Sequence, residues 1–388
     1  MPVAAAFPFV EVRIDTSALT PVANRAPGVI AVVGVSTTGS APVNTPREVG
    51  GLDDAVTLFA SRNPDGTVAP TPLFQSLALA FGQDPRPQKV YGVKVSADGH
   101  TAGLAALEGI DDITFVSLAG VTLIGAASTA TAPATGLRAL KEHVENTSAA
   151  GLRRIGFAMV DPARAKAPDY VDKVVTDYTP LRSDASRMVL VAARGGVGDV
   201  ATAAMAAAAA FAPNVSLLLK KIRGVTMPLE SQYSGTEIKR LSTANIIPII
   251  DPTLIPGPGL HFGEGRAFTT DESRLYVDVV RTLDDIEFRL KAGLIGLVGD
   301  ARITKSGMVA LKTRIEGILE PLLRSDVIAG FDVAIPVLDI LSLPESVWTA
   351  GDRNVVTTAR ANRVVDVQVS VTYGPAVHRL SVVLALKF

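Results

Sequence analysis

The chain of 388 residues contains no cysteine. That absence excludes disulfides, thiolate nucleophiles and cysteine-ligated zinc, and it leaves the chain indifferent to redox. An excess of one charge is missing too. Thirty-seven basic residues face 38 acidic ones, a net charge of −1, so no strong positive field draws the chain to nucleic acid or anionic lipid. Long hydrophobic runs are also lacking. The most apolar stretch, Ala203–Pro213, is mostly alanine and well short of the roughly 20 residues that cross a bilayer. Met1–Arg13 has no basic n-region and does not read as a secretory signal, so assembly in the cytoplasm is expected. Few aromatics accompany the C-terminal basic residues Arg353, Arg360, Arg363, Arg379 and Lys387, which leaves no platform for stacking bases.

What is present points to a folded chain. Hydrophobic residues are 48% and charged residues 19%, too apolar for disorder. At roughly 150 residues per domain, the length suggests two to three domains. Val29–Val35 is a continuous apolar run, and Gln88–Val95, Arg154–Val160 and Arg187–Ala193 are strand-like. Helical patterns cover Leu52–Ala60, Pro72–Phe81, Leu137–Asn146, Tyr170–Tyr178 and the alanine-rich Val200–Phe211. Asn245–Ile250 reads as a strand whose Pro248 argues for an edge or irregular position. Strands separated by helices of this length mean βαβ units and a parallel sheet.

The final third changes character. Thr269 and Glu272 have the spacing of a capping box before a long helix with Leu275, Val279, Leu283, Ile286 and Leu290 on one face. A second helix spans about Ser306–Arg324. Arg363–Tyr373 alternates, with Val365, Val367, Val369 and Val371 on one side. Arg379–Phe388 alternates likewise, with Leu380, Val382, Leu384, Leu386 and Phe388 together. Near the other end, Phe9, Val10, Glu11, Val12, Arg13 and Ile14 form a half-buried strand on a long Pro-punctuated tether. The expected class is α/β: an α+β core with a mixed sheet and long helices, an inserted α/β layer domain, and extended β arms at both termini. The expected divisions are an arm at 1–28, a discontinuous core at 29–96 and 251–378, an insertion at 97–250, and a terminal strand at 379–388.

No catalytic pattern emerges. His100, His143, His261 and His378 are scattered, without metal-ligand spacing, and read as surface or loop residues. The pairs Asp53–Asp54, Asp111–Asp112 and Asp284–Asp285 point to different sides of their elements and read as caps and solvated faces. No catalytic residue, cofactor or metal is expected. One turn, Gly196-Val197-Gly198-Asp199-Val200-Ala201, fits G-x-G-x-x-A after a strand, as in dinucleotide sites. However, Lys220, Lys221 and Arg223 end the next apolar run, where a ribose-binding acid would be needed. A nucleotide-binding enzyme using Gly196–Ala201 is the alternative reading; another filament or shell protein is a third.

The terminal strands carry the most information. An unpaired strand edge recruits another chain, and a head-to-tail contact that does not close generates a helical filament. The chain also resembles the contractile tail sheath family of phages, R-type pyocins and related injection particles. The resemblance lies in Pro27-Gly28-Val29 through Gly34, in Asn44-Thr45-Pro46, in the helix Leu52–Ala60, and in Gln88–Val95. It is most specific in Leu260–Glu272, LHFGEGRAFTTDE, at Gly265, Arg266, Thr269 and Asp271. The resemblance implies a homo-oligomer of stacked hexameric rings around an inner tube, with baseplate and tail terminator proteins as further partners. It implies no nucleic-acid or direct membrane contact. Both arms would join the sheet of another copy, with Val365, Val367, Val369 and Val371 on the receiving strand. Thr16–Pro27 and Gly374–His378 would serve as flexible hinges. Contraction would use energy stored in the extended assembly, and the chain would end up in a virion tail or in an extracellular or cell-associated contractile particle.

Overall fold

The computed structural model of the chain describes residues 28–379. The arm residues Phe9–Ile14 and Leu380–Phe388 lie outside them. The described chain divides into two compact units. The larger holds residues 28–287, 325–330 and 371–379, and the smaller holds 288–324 and 331–370.

The larger unit opens with β1 (Val29–Val35), which is buried on both faces. Such a strand belongs inside a covered parallel sheet, where no polar side is needed. β2 (Pro46–Glu48), α1 (Leu52–Phe59), a small hairpin of β3 (Ser61–Arg62) and β4 (Val68–Ala69), α2 (Pro72–Phe81) and β5 (Lys89–Val95) follow. The start of α2 combines Pro72 in its first turn with Thr71, whose hydroxyl accepts from Phe74 N–H at 3.2 Å. That is the expected N-terminal chemistry. Then come α3 (His100–Ala105), β6 (Phe115–Leu118), α4 (Gly136–Ala149), β7 (Ile155–Met159), α5 (Tyr170–Tyr178), β8 (Met188–Ala192), α6 (Val200–Ala209), β9 (Lys221–Ile222), α7 (Gly235–Thr243), β10 (Ile247–Ile250) and β11 (Leu260–Phe262).

Nine strands form one sheet in the order β2-β5-β1-β6-β7-β8-β10-β11-β9. The six from β5 to β10 run parallel, and the outer three are antiparallel to their neighbours. One face is covered by α1, α2 and α6, around Phe59, Leu77, Phe115, Phe157 and Phe262. The other is covered by α3, α4, α5 and α7, around Leu104, Leu140, Val174 and Leu241. All ten residues of α6 are buried; its alanines let that helix lie close on the sheet. The expected insertion at 97–250 has no seam here. β1 is hydrogen-bonded to β5 on one side and to β6 on the other, so 29–96 and 97–250 share one sheet. Pro248 takes the irregular position rather than an edge: it sits inside that sheet at a change of pairing. β8 pairs with Ile247 and Pro248, and β11 takes over at Ile249 and Ile250, so the residue without a donor falls where one ladder ends and the next begins.

α8 (Val277–Leu294) begins in the larger unit and enters the smaller one at Phe288. α9 (Lys305–Arg324), β12 (Ile328–Ala334), α10 (Pro336–Ser342), α11 (Ala350–Asn362) and β13 (Gln368–Tyr373) complete the described chain. The smaller unit buries side chains along α9 (Ile315, Ile318, Leu319 and Leu322) as well as around α10. Met308, Ile335, Val337, Leu338 and Val356 are buried, with Trp348, Val365 and Val367 packed around them. α11 is set by a reciprocal capping box between Thr349 and Asp352 and stopped by Arg363 in the left-handed conformation.

The expected capping box at Thr269–Glu272 does not form. Asp271, not Thr269, caps a short 3-10 turn, and α8 starts only at Val277. The Thr269 hydroxyl instead donates to Ser183 C=O at 2.9 Å, so a tertiary partner outcompetes the local one.

Candidate assembly interface

The sheets of the molecule end differently. The nine-stranded sheet closes with the three-residue β2, which begins at Pro46, and the two-residue β9, whose Lys221 is exposed. Short edges carrying Pro and Lys resist pairing with another chain. β12 and β13, of seven and six residues, form a sheet of two strands. No third strand joins them among the described residues. A two-stranded sheet is marginal alone, and its open edges offer rows of unpaired N–H and C=O groups for strand addition. β13 alternates, with Gln368, Ser370 and Thr372 exposed and Val369, Val371 and Tyr373 half-buried.

The expected strand Arg363–Tyr373 is therefore shorter at its start. Val369 and Val371 lie in β13, whereas Val365 and Val367 precede it and pack on the core of the smaller unit. The left-handed Arg363 brings Val364 N–H back to Ala359 C=O at 3.2 Å, and this holds the next few residues along α11.

Leu260–Glu272 proves to be a junction. Glu264 is buried, with its Oε2 3.6 Å from Arg266 Nε and its Oε1 3.0 Å from Gly265 N–H. Arg266 Nη1 donates to Ser242 C=O at 3.1 Å, and its guanidinium faces the Tyr276 ring at 5.5 Å. Gly265 C=O accepts from Val277 N–H at 3.0 Å, which ties the loop to the first residue of α8. Thr269 C=O accepts from Arg182 Nε and from Asn245 Nδ2. Asp271 accepts from Ser273, whose hydroxyl and N–H hold its carboxyl below the usual range. Gly265 thus ties the loop to the start of α8, and Arg266 and Thr269 fasten it to the end of α7 and the turn after it; Asp271 serves only the turn.

The segment leaving β13 returns to this junction. Tyr373 OH donates to Asp278 Oδ2 at 3.0 Å. His378 Nε2 lies 2.8 Å from Ser216 Oγ, its Nδ1 3.6 Å from Glu264 Oε1, and its ring stands edge-on to Tyr276. Gly374–His378, expected to be a flexible hinge, is held at both ends.

The Gly196–Ala201 turn is occupied by its own side chain. Gly198, at φ +101°, permits the turn. Asp199 is buried, and its Oδ1 accepts from Thr202 N–H at 3.0 Å. Its Oδ2 takes the Thr202 hydroxyl at 2.6 Å, the Ser76 hydroxyl at 2.6 Å and Gly120 N–H at 3.0 Å. A carboxylate thus sits at the α6 N-terminus, where a pyrophosphate would need bare donors. Arg194, just before the turn, is sandwiched between Tyr170 and Tyr233 and paired with Glu237 at 2.6 Å. That pairing holds Glu237 down to about 2.

Charged groups that the sequence places at the surface are inside. Along α8, Asp278, Arg281 and Asp285 are buried, while Leu283 is 46% exposed. Arg281 Nη1 and Nη2 donate to Ala208 C=O at 3.2 Å and Phe211 C=O at 2.7 Å, at the end of α6, where the helix dipole favours a cation. Burial lowers Arg281 to about 10. Asp284 pairs with Arg187, and Arg153 Nε meets Glu287 at 2.7 Å. The pair Asp284–Asp285 is therefore no solvated face. His143 is no surface residue either: its Nε2 lies 2.8 Å from Arg154 Nη1, and burial together with that guanidinium pushes it down to about 3. Only the partner elements, remote in sequence, reveal these pairings.

No family model and no curated protein sequence matches the chain. Solved structures do. The helical sheath of the anti-feeding prophage in its contracted state is similar at 16% identity and a TM-score of 0.62, covering 99% of each chain. The contracted sheath complex of an extracellular contractile injection system, PVC, is similar at 14% identity and a TM-score of 0.64, covering 99% of this chain and 98% of that one. A sheath tail protein from Desulfitobacterium hafniense is similar at 11% identity and a TM-score of 0.54, covering 85% and 93%. The chain has the fold of these sheath proteins over nearly its whole length.

Proposed function

We propose that this chain is the structural subunit of a contractile sheath. Copies assemble as stacked hexameric rings around an inner tube, with baseplate and terminator proteins at the ends. Shortening drives the tube through a target envelope. The assembled particle acts outside the cell that makes it, and the chain performs no catalysis. The observation that carries this reading is the two-stranded β12–β13 sheet, open among the described residues, in a chain that ends on both sides in strand-patterned segments, Phe9–Ile14 and Leu380–Phe388. The sheath fold, matched across the chain, supports it. Each added ladder hydrogen bond contributes about 1 kcal/mol and each buried Val or Leu roughly 1.5–3 kcal/mol, enough for several residues per arm to link subunits firmly. The buried Asp199 at the α6 N-terminus argues against the nucleotide reading.

Expression of the full chain tests the proposal. Negative-stain microscopy is expected to show hollow striated cylinders. Monomers alone, or closed shells, would overturn it. Removal of Met1–Asp15 is expected to leave a folded monomer; normal cylinders from that truncated chain would contradict the arm's role.

A further inference from the structure

The four residues between Tyr373 and His378 bridge two attachment points. At one, Tyr373 OH donates to Asp278 Oδ2 at 3.0 Å on α8, and Asp278 is itself buried. At the other, His378 sits against Ser216, Glu264 and Tyr276. Its side chain keeps only 18% exposure. Between them Pro375, Ala376 and Val377 are exposed, Val377 to 79%. An unburied run between two seated aromatic side chains is a strap, and its far attachment is a single polar contact set. Ser216 also accepts from Leu218 N–H at 3.2 Å, and Glu264 is held by Gly265 and Arg266. The seat is therefore fixed by its own body, whether or not His378 occupies it.

We propose that residues 374–378 are a releasable strap: the His378 seat sets the point from which the C-terminal segment leaves the body, and release from that seat lengthens the segment. This rests on the reading of Leu380–Phe388 as a link to another copy. The lengths are simple. Release moves the last fixed point from His378 back to Tyr373 and so frees five residues, about 17 Å at full extension. A link between subunits that move past one another must tolerate a change of span. A side-chain seat yields before a strand ladder does, because it gives up a few polar contacts rather than a row of them.

The experiment uses the full chain, whose lack of cysteine makes labelling unambiguous. Nitroxides are attached at Arg47→Cys, on the β2 edge, and at Arg379→Cys, just beyond the seat. Seven strand spacings from β2 to β11 place the labels about 34 Å apart or more, within range of double electron–electron resonance. The intact free chain is expected to give a narrow distance distribution. His378→Ala, and independently Ser216→Ala, is expected to broaden or shift it by up to about 17 Å, the contour of five residues. Equal widths with and without His378 would overturn the seat. In cylinders diluted with unlabelled chain, the extended and contracted forms are expected to differ, one narrow and one broadened. The same narrow distribution in both would overturn release. Failure of the intact chain to form cylinders would count against the sheath reading alone, since the free-chain measurement still decides the seat.

Discussion

The two units of the chain solve burial differently. The larger unit encloses a nine-stranded sheet between helical layers, with hydrophobic clusters on both faces. The smaller one packs Met308, Ile335, Val337, Leu338 and Val356 together and also buries Ile315, Ile318, Leu319, Leu322 and Val333 along α9 and β12, and it leaves Ile295, Val298, Val309, Leu343, Val347, Val355 and Val364 between 45% and 79% exposed. The nine-stranded sheet of the larger unit has short, guarded edges. The smaller unit carries exposed apolar side chains, and the two-stranded β12–β13 sheet has open strand edges among the described residues. The difference lies in the sheet edges: short and guarded in the nine-stranded sheet, long and open in β12–β13.

The largest expected effect breaks the body. Phe157→Ala empties a fully buried site packed edge-on against Phe115 and should cost about 3–5 kcal/mol, read as a lower urea midpoint whether or not the chain is assembled. Asp199→Ala comes next. It removes the α6 cap and leaves the Ser76 and Thr202 hydroxyls and Gly120 N–H without their shared acceptor, a loss of about 2–3 kcal/mol. A thermal-shift screen should find no dinucleotide binding in either form; saturable binding by the unaltered chain would restore the enzyme reading. Val356→Ala in the smaller unit should cost about 2 kcal/mol. There, hydrogen exchange should quicken in α10 and α11 of the free chain while the nine-stranded sheet stays protected. Uniform acceleration across both units would deny the comparison.

The smallest effect is a slope. His143 stays neutral in the folded chain down to about pH 3, whereas an unfolded imidazole takes up its proton below about 6.5. Between those values the unfolded state binds more protons, so stability rises with pH and falls on acidification from 6.5 towards 3. His143→Gln, which retains an acceptor for Arg154, should flatten the dependence of stability on pH across that window. An unchanged slope would assign the acid sensitivity to other groups.

The body was largely legible in the sequence because its signals are local. Val29–Val35, Pro72–Phe81 and Tyr170–Tyr178 have the same limits in the structure as in the pattern. A short apolar run rich in Val and Ile favours a covered strand, and helical spacing marks Pro72–Phe81 and Tyr170–Tyr178. The junctions were not legible because their partners lie far away in the chain. The spacing of α8 turned Leu283 inward, yet Arg281 takes the buried place because the carbonyl end of α6, some 70 residues earlier, needs a cation. Thr269 forsook the local cap for Ser183. Gly374–His378 looked like a linker because nothing in Gly-Pro-Ala-Val-His predicts the Ser216 and Glu264 seat. Residues 29–96 and 97–250 were separated because the sheet order, with β1 between β5 and β6, leaves no trace in composition.

The central claim is that the β12–β13 sheet is completed by strands of other copies. An electron cryo-microscopy map of the assembled particle tests it most directly. The account predicts chain density paired along the open edges of β12 and β13, traceable to residues near Phe9–Ile14 and Leu380–Phe388 of neighbouring subunits. A map in which that sheet keeps two strands, with both terminal segments lying on their own subunit, would contradict it.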